Sequence, residues 1–140
     1  MSVTLRHFRF GWWALFVFAA LGVALEAMNG FKFGWYLSVA NETRRLLLTL
    51  AHAHGVLLGL VNIAFAASVR ATVAEETAWA RRASPCLLAA GVLLPGGFAL
   101  GGLVFYGGDP GLGIALVPVG AVLLLVGLFL TARGVSSPSG

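Results

Sequence analysis

Four long apolar stretches constrain this chain more strongly than any other feature of its sequence. They lie at residues 10–30, 45–68, 85–106 and 112–132. Each is close to the roughly 20 residues that an α-helix needs to cross a hydrocarbon core about 30 Å thick. Apolar residues make up 59% of the chain and charged residues only 10%, which is far from the composition of a soluble domain. The sequence therefore predicts an all-α polytopic membrane protein, a bundle of four transmembrane helices.

The basic residues predict how this bundle is oriented. Six of the nine Lys and Arg residues lie at the end that holds both termini, and three lie at the other end. The positive-inside rule then places both termini in the cytoplasm of a multi-pass protein in the bacterial inner (plasma) membrane. Because the basic residues are scattered among the helix ends and form no stripe, we expect the lipid bilayer as a partner and no nucleic acid.

Short connections predict a single domain, residues 1–133, with a flexible tail of Ser, Gly and Pro residues at 134–140. Helix packing in lipid depends on small residues that let two backbones approach. The fourth span carries Gly113, Gly120 and Gly127 at intervals of seven residues, and the third carries Gly97 and Gly101. We expect these two glycine faces to meet in an antiparallel pair.

Two of the three histidines lie in the second span, in the run Leu50-Ala51-His52-Ala53-His54-Gly55. An ionisable side chain inside hydrocarbon is costly and marks a functional site by default. Because a helix turns about 100° per residue, His52 and His54 point about 200° apart. This spacing argues against a metal ion held by both side chains and permits one contact on each helix face. His7 lies outside the predicted spans.

The two faces have different compositions. The face of His52 is small and polar and is predicted to look into the bundle; it carries Arg45, Gly55, Gly59, Asn62 and Ala66. The face of His54 is apolar and is typical of a surface turned towards lipid or a partner; it carries Leu47, Leu50, Leu58, Val61 and Phe65. His54 therefore needs a neighbouring helix, a second protomer or a flat apolar cofactor beside it.

The stretch Ala51-His52-Ala53-His54-Gly55-Val56-Leu57-Leu58-Gly59 resembles the H-x-H helix of the large subunit of heme-copper oxidases and nitric oxide reductases. In that family the two histidines serve two different hemes on opposite helix faces. The resemblance implies that His52 and His54 are axial heme ligands, with the opposite axial position filled by another protomer, by Met28, or left open. The four-span layout is also similar to that of small uncharacterised four-helix bacterial membrane proteins.

A second group of polar residues gathers where the first span ends and the second begins. We predict a polar pocket formed by Glu26, Asn29, Arg45 and Asn62. Glu26 lies about one turn inside its span, where a carboxylate needs a partner, and Arg45, Arg44, Lys32 or a histidine could supply one. The group is either a charge-paired structural network or a headgroup or quinone site, in which Glu26 and His52 transfer protons.

Three functions follow from these residues. The first is a small accessory subunit, in a homo-oligomer or larger membrane complex, that binds heme or another redox cofactor, or handles protons, through His52 and His54. The second is a structural or assembly subunit of such a complex. The third is a small membrane enzyme that acts on a lipophilic substrate at a pocket of Glu26 and His52. The sequence contains no glycine-rich phosphate loop and no nucleophile elbow, which excludes the common soluble active sites.

Overall fold

The computed structural model describes residues 1–38, 42–72, 77–106 and 109–136. Within these ranges the α-helices are α1 (Val3–Gly30), α2 (Gly34–Leu37), α3 (Glu42–Ala71), α4 (Ala78–Leu103) and α5 (Leu116–Ser136). The connection from α4 to α5 contains the antiparallel pair β1 (Phe105–Tyr106) and β2 (Asp109–Pro110), then a 3₁₀ helix (Leu112–Ala115). Four of the described helices are long and apolar enough to cross a membrane: Val3–Gly30, Glu42–Ala71, Ala78–Leu103 and Leu112–Ser136. The predicted all-α class and the four long apolar helices are confirmed.

The helices extend beyond the apolar spans at the end that carries both termini. Helix α1 begins at Val3 because the Ser2 hydroxyl accepts a hydrogen bond from the amide of Leu5 at 3.2 Å, as a helix N-cap does. His7, which precedes the predicted first span, therefore lies within α1. Helix α5 runs to Ser136, into the predicted tail, and residues 137–140 lie outside the described part of the chain.

Helix α4 begins at Ala78, seven residues before the apolar stretch that starts at residue 85. Pro85 lies inside the helix and removes one backbone hydrogen bond there. The preceding turns are nevertheless held by packing, because Ala80, Ala83 and Ser84 are all 0% exposed. Burial of this face against neighbouring helices outweighs the local cost of the proline.

The long helices pack mainly in the order α1, α3, α4, α5, each antiparallel to the next. Helices α3 and α4 form the middle of the bundle, while α5 lies at its edge. In the most apolar 18-residue segment of α4, 44% of the residues are buried, whereas in that of Leu112–Ser136 only 11% are. One end of the bundle holds the start of α1, the end of α3, the start of α4 and the end of α5. We call this the arginine-rich end, and the opposite one the α2 end.

The glycine faces of α4 and α5 meet, as the sequence predicts. A Cβ atom on Gly97 would lie 3.1 Å from the carbonyl oxygen of Gly113, and one on Gly120 would lie 2.9 Å from the backbone nitrogen of Leu94. At Gly127 the same atom would lie 2.7 Å from the Leu87 side chain. These positions have no room for a side chain, which is the close backbone approach expected of helices held by small residues.

Candidate functional site

A cleft of about 970 Å³ lies between α1 and α3 at the α2 end of the bundle. Helix α2 borders it through Tyr36, which is 5% exposed and packs with Leu25 and Leu48. The polar side chains that line the cleft are Glu26, Asn29, Glu42, Thr43, Arg45, Thr49 and His52. Its apolar lining includes Ala19, Val23 and Leu46. The cleft thus combines a polar group with an apolar wall, as small-molecule sites commonly do.

The structure brings together most of the residues of the predicted polar pocket. Glu26 and Asn29, from α1, line the same cleft as Arg45 and His52, from α3. Asn62 does not line it. Its side chain is buried between α1 and α4, where it contacts His7.

Among the described residues, the charged side chains that line this cleft form no ion pair with one another. Within the described residues, no ion pair joins Glu26 to Arg45, Arg44 or Lys32, and the side chains of Glu26 and Arg45 are both exposed. Arg44 points elsewhere: its guanidinium stacks over the Trp35 ring at 4.2 Å and donates to the Trp35 carbonyl oxygen at 2.9 Å. Arg44 therefore fastens α2 to α3, while Arg45 faces the cleft.

His52 is fixed by α1. Its Nδ1 lies 2.6 Å from the carbonyl oxygen of Phe18, so Nδ1 carries the proton and donates it. The imidazole lies over Gly22, where a Cβ atom would overlap the ring. In the described structure Nε2 has no hydrogen-bond partner. When one nitrogen of a half-buried imidazole is bonded to a carbonyl oxygen, the other nitrogen can accept a proton or coordinate a metal ion.

His54 contacts a different helix. Its Nδ1 donates to the carbonyl oxygen of Leu50 at 2.9 Å, and its ring lies 4.8 Å from that of Phe98 on α4, at 39°. The face that it shares is not directed to lipid, because Leu47, Leu58 and Phe65 on it are buried. Of the three neighbours that the sequence allows for His54, the structure shows the neighbouring helix, which is α4.

The geometry bears on metal binding in two ways. His52 contacts α1 and His54 contacts α4, so the predicted division of the pair between two faces holds. Among residues 1–38, 42–72, 77–106 and 109–136, no group of three or more His, Cys, Asp and Glu side chains is arranged to hold a metal ion. Either histidine could supply a single axial ligand through Nε2, since Nδ1 is already engaged.

A second polar cluster, which the sequence reasoning missed, crosses three helices near the arginine-rich end. His7 from α1 lies with Nδ1 2.6 Å from Asn62 Oδ1 and Nε2 2.8 Å from Ser84 Oγ, and all three residues are 0% exposed. Arg6 donates to Ser84 Oγ at 2.7 Å. A signal for this cluster is present in α1, where His7, Gly11, Phe18 and Gly22 recur at intervals of four and seven residues and so share one face.

A comparison of the chain with protein-family models, with curated proteins and with solved structures found no match.

Proposed function

We propose that this chain is a polytopic protein of the bacterial inner membrane, with both termini in the cytoplasm, that binds a small amphiphile in the cleft between α1 and α3. The four long apolar helices support the membrane location. The excess of basic residues at the arginine-rich end supports the orientation. The cleft then opens near the outer surface of the membrane.

One observation carries the proposal: Glu26, Arg45 and His52 line one cleft together with the apolar residues Val23 and Leu46. An amphiphile has the same division, with a compact polar head and an apolar tail. Headgroups and quinones both belong to this class. The volume of about 970 Å³ is within the range of roughly 300–1,000 Å³ that small-molecule sites occupy.

The polar residues have complementary roles towards such a head. The guanidinium of Arg45 donates hydrogen bonds, the Glu26 carboxylate accepts them, and Asn29 can do both. His52 accepts a proton or hydrogen bond at Nε2, while the Phe18 carbonyl accepts from Nδ1 and fixes the orientation of the ring. Glu26 and His52 are therefore the residues that would exchange protons with a bound head.

Blocking the cleft tests the proposal. Val23 lines the cleft and is 69% exposed, whereas Val17, on the same helix and 54% exposed, does not line it. Wild type, Val23→Trp and Val17→Trp are purified in a membrane-extracting polymer, and the lipophiles that accompany each are identified and counted by mass spectrometry. We expect Val23→Trp to lose at least one species about fivefold per mole of protein and Val17→Trp to keep it. An unchanged set in Val23→Trp would overturn the proposal.

Heme binding by an oligomeric accessory subunit is a second proposal, and it is favoured by the backbone hydrogen bonds of both histidines. Nδ1 of His52 and of His54 is bonded to a carbonyl oxygen, an arrangement that orients metal-ligating imidazoles. A bound heme would supply electron-transfer chemistry. Protein from heme-replete cells should then show a Soret band that His52→Ala or His54→Ala removes. Protein that stays colourless after heme addition would reject heme and leave the amphiphile proposal intact.

A further inference from the structure

The charges that line the cleft restrict which polar head can occupy it. Among the described lining residues, Glu26 and Glu42 are acidic, Arg45 is basic, and His52 carries an imidazole. A purely anionic head would meet two carboxylates, and a purely cationic head would meet a guanidinium. A head that carries both charges complements both kinds of group, which is how charged sites discriminate between partners.

The order of these groups along the cleft follows from the helix geometry. Glu42 and Arg45 are three residues apart on α3, which separates them by about 4.5 Å along the axis and places them on similar faces. Gly22 and His52 are in contact, and α1 and α3 are antiparallel. Asn29 therefore lies near the level of Arg45, and Glu26 lies about one turn deeper. Arg45 is thus flanked along the cleft by a carboxylate on each side.

From this order we infer that the cleft, if it binds an amphiphile as proposed above, selects a zwitterionic lipid head in which a phosphate is joined by a short linker to a primary ammonium. The phosphate binds Arg45, whose planar guanidinium can donate two parallel hydrogen bonds to it. The ammonium, with its three N–H donors, binds the carboxylate of Glu42, which lies on the side of Arg45 opposite to the acyl chains. The acyl chains extend along Val23 and Ala19.

Three lipids that share the same acyl chains differ in the charges and N–H donors of their heads. Phosphatidylethanolamine has the phosphate and three N–H donors. Phosphatidylcholine keeps both charges but has no N–H donor, and phosphatidylglycerol keeps the phosphate without a positive charge. Native mass spectrometry of the full chain in detergent, titrated with the dioleoyl form of each lipid, gives the apparent Kd of the first bound molecule. We expect phosphatidylethanolamine to bind at least fivefold more tightly than either of the others.

Charge substitutions test the assignment of the groups. The double variant Glu26→Gln/Glu42→Gln removes both carboxylates and keeps the guanidinium of Arg45 among the described lining residues. This variant should bind phosphatidylglycerol more tightly than phosphatidylethanolamine. Arg45→Gln should weaken binding of all three lipids. Arg70→Gln, an exposed residue of α3 outside the cleft, is the matched control and should keep the wild-type order. Helix content measured by circular dichroism verifies that each variant is folded. The order of the three lipid affinities is also measured on the wild-type protein, so that part of the test does not depend on the folding of any variant.

Free phosphoethanolamine distinguishes a lipid from a soluble compound with the same head. Without acyl chains it should bind at least 100-fold more weakly than the lipid, and equal affinity would overturn the lipid source. Equal affinities for the three lipids in wild type would overturn the selection of a zwitterion, and Val23→Trp would still report on the cleft. If Val23→Trp binds all three as wild type does, the amphiphile proposal fails as well.

Discussion

His7 and Asn62 form a hydrogen bond of 2.6 Å between α1 and α3, and both side chains are 0% exposed. Asn62 uses its Nδ2 to donate to the Leu58 carbonyl oxygen at 2.8 Å, so its Oδ1 accepts from Nδ1 of the imidazole. Nε2 then accepts from the hydroxyl of Ser84, whose oxygen accepts in turn from Arg6. Each ring nitrogen of a neutral His7 is satisfied, as a buried polar group requires.

Removing both members of this pair should cost less than the two single removals added together. Asn62→Leu leaves Nδ1–H of His7 buried without an acceptor, and we expect the free energy of unfolding to fall by about 1–3 kcal/mol. In His7→Leu/Asn62→Leu the loss should be smaller than the sum of the two single losses. Unfolding of the purified protein in mixed micelles, followed by circular dichroism, measures all four proteins.

Asn29→Leu is the matched control for Asn62→Leu. Asn29 lies on an exposed part of α1, so its replacement should change the free energy of unfolding by less than about 0.5 kcal/mol. Additive losses in the double-mutant cycle would show that His7 and Asn62 are not coupled.

The number of long helices could be predicted because apolar length alone decides which segments can cross a bilayer. The ends of these helices could not be predicted, because polar turns that are stabilised by packing do not appear as apolar stretches in the sequence. His7 and Ser84 are polar residues outside the apolar spans, yet each becomes fully buried because the other is there. Such mutual satisfaction is a property of three helices together and has no signature within one of them.

The residues of the candidate site could be predicted only in part from the sequence. Glu26, Asn29, Arg45 and His52 could be grouped from sequence because adjacent helices joined by a short connection are antiparallel. Asn62 shares the helical face of His52 but lies ten residues further along α3, about 15 Å away along its axis. Periodicity identifies a face and does not identify a depth, so Asn62 was assigned to the wrong end of the bundle.

Two glycines that pack against aromatic rings lead to a second set of predicted changes in stability. A Cβ atom on Gly22 would overlap the His52 ring, and one on Gly55 would overlap the Phe18 ring. We expect Gly22→Ala and Gly55→Ala each to lower the free energy of unfolding by about 1–3 kcal/mol, because the α1–α3 contact must open.

Gly96 supplies the control for these substitutions. A Cβ atom there has nothing within 4 Å, so Gly96→Ala should be neutral or raise the free energy of unfolding by up to about 1 kcal/mol through helix propensity. The same micelle unfolding experiment compares the three variants. A loss at Gly96 equal to that at Gly22 would show that the close contact with His52 is not the cause.

The backbone conformation of Lys32 leads us to expect that one substitution there is stabilising. Its φ of 57° is left-handed, and the amides of Phe33 and Lys32 donate to the carbonyls of Met28 and Asn29 at 2.9 and 3.3 Å. This is a Schellman ending of α1, in which glycine is the usual left-handed residue. Lys32→Gly should raise the free energy of unfolding by about 0.5–1 kcal/mol. Lys32→Ala removes the same charge but keeps Cβ, so it should give no such gain.

The proposed orientation predicts which positions are reachable from outside the cell. With Cys86 replaced by Ala, single cysteines are introduced at Lys32, in the α1–α2 turn, and at Ser2, the cap of α1. Because six of nine basic residues lie at the end that holds Ser2, the positive-inside rule directs that end to the cytoplasm. A membrane-impermeant maleimide should label Lys32→Cys in spheroplasts and Ser2→Cys only after permeabilisation. The reverse order would place the cleft on the cytoplasmic side, and labelling of both without permeabilisation would contradict a first helix that crosses the membrane.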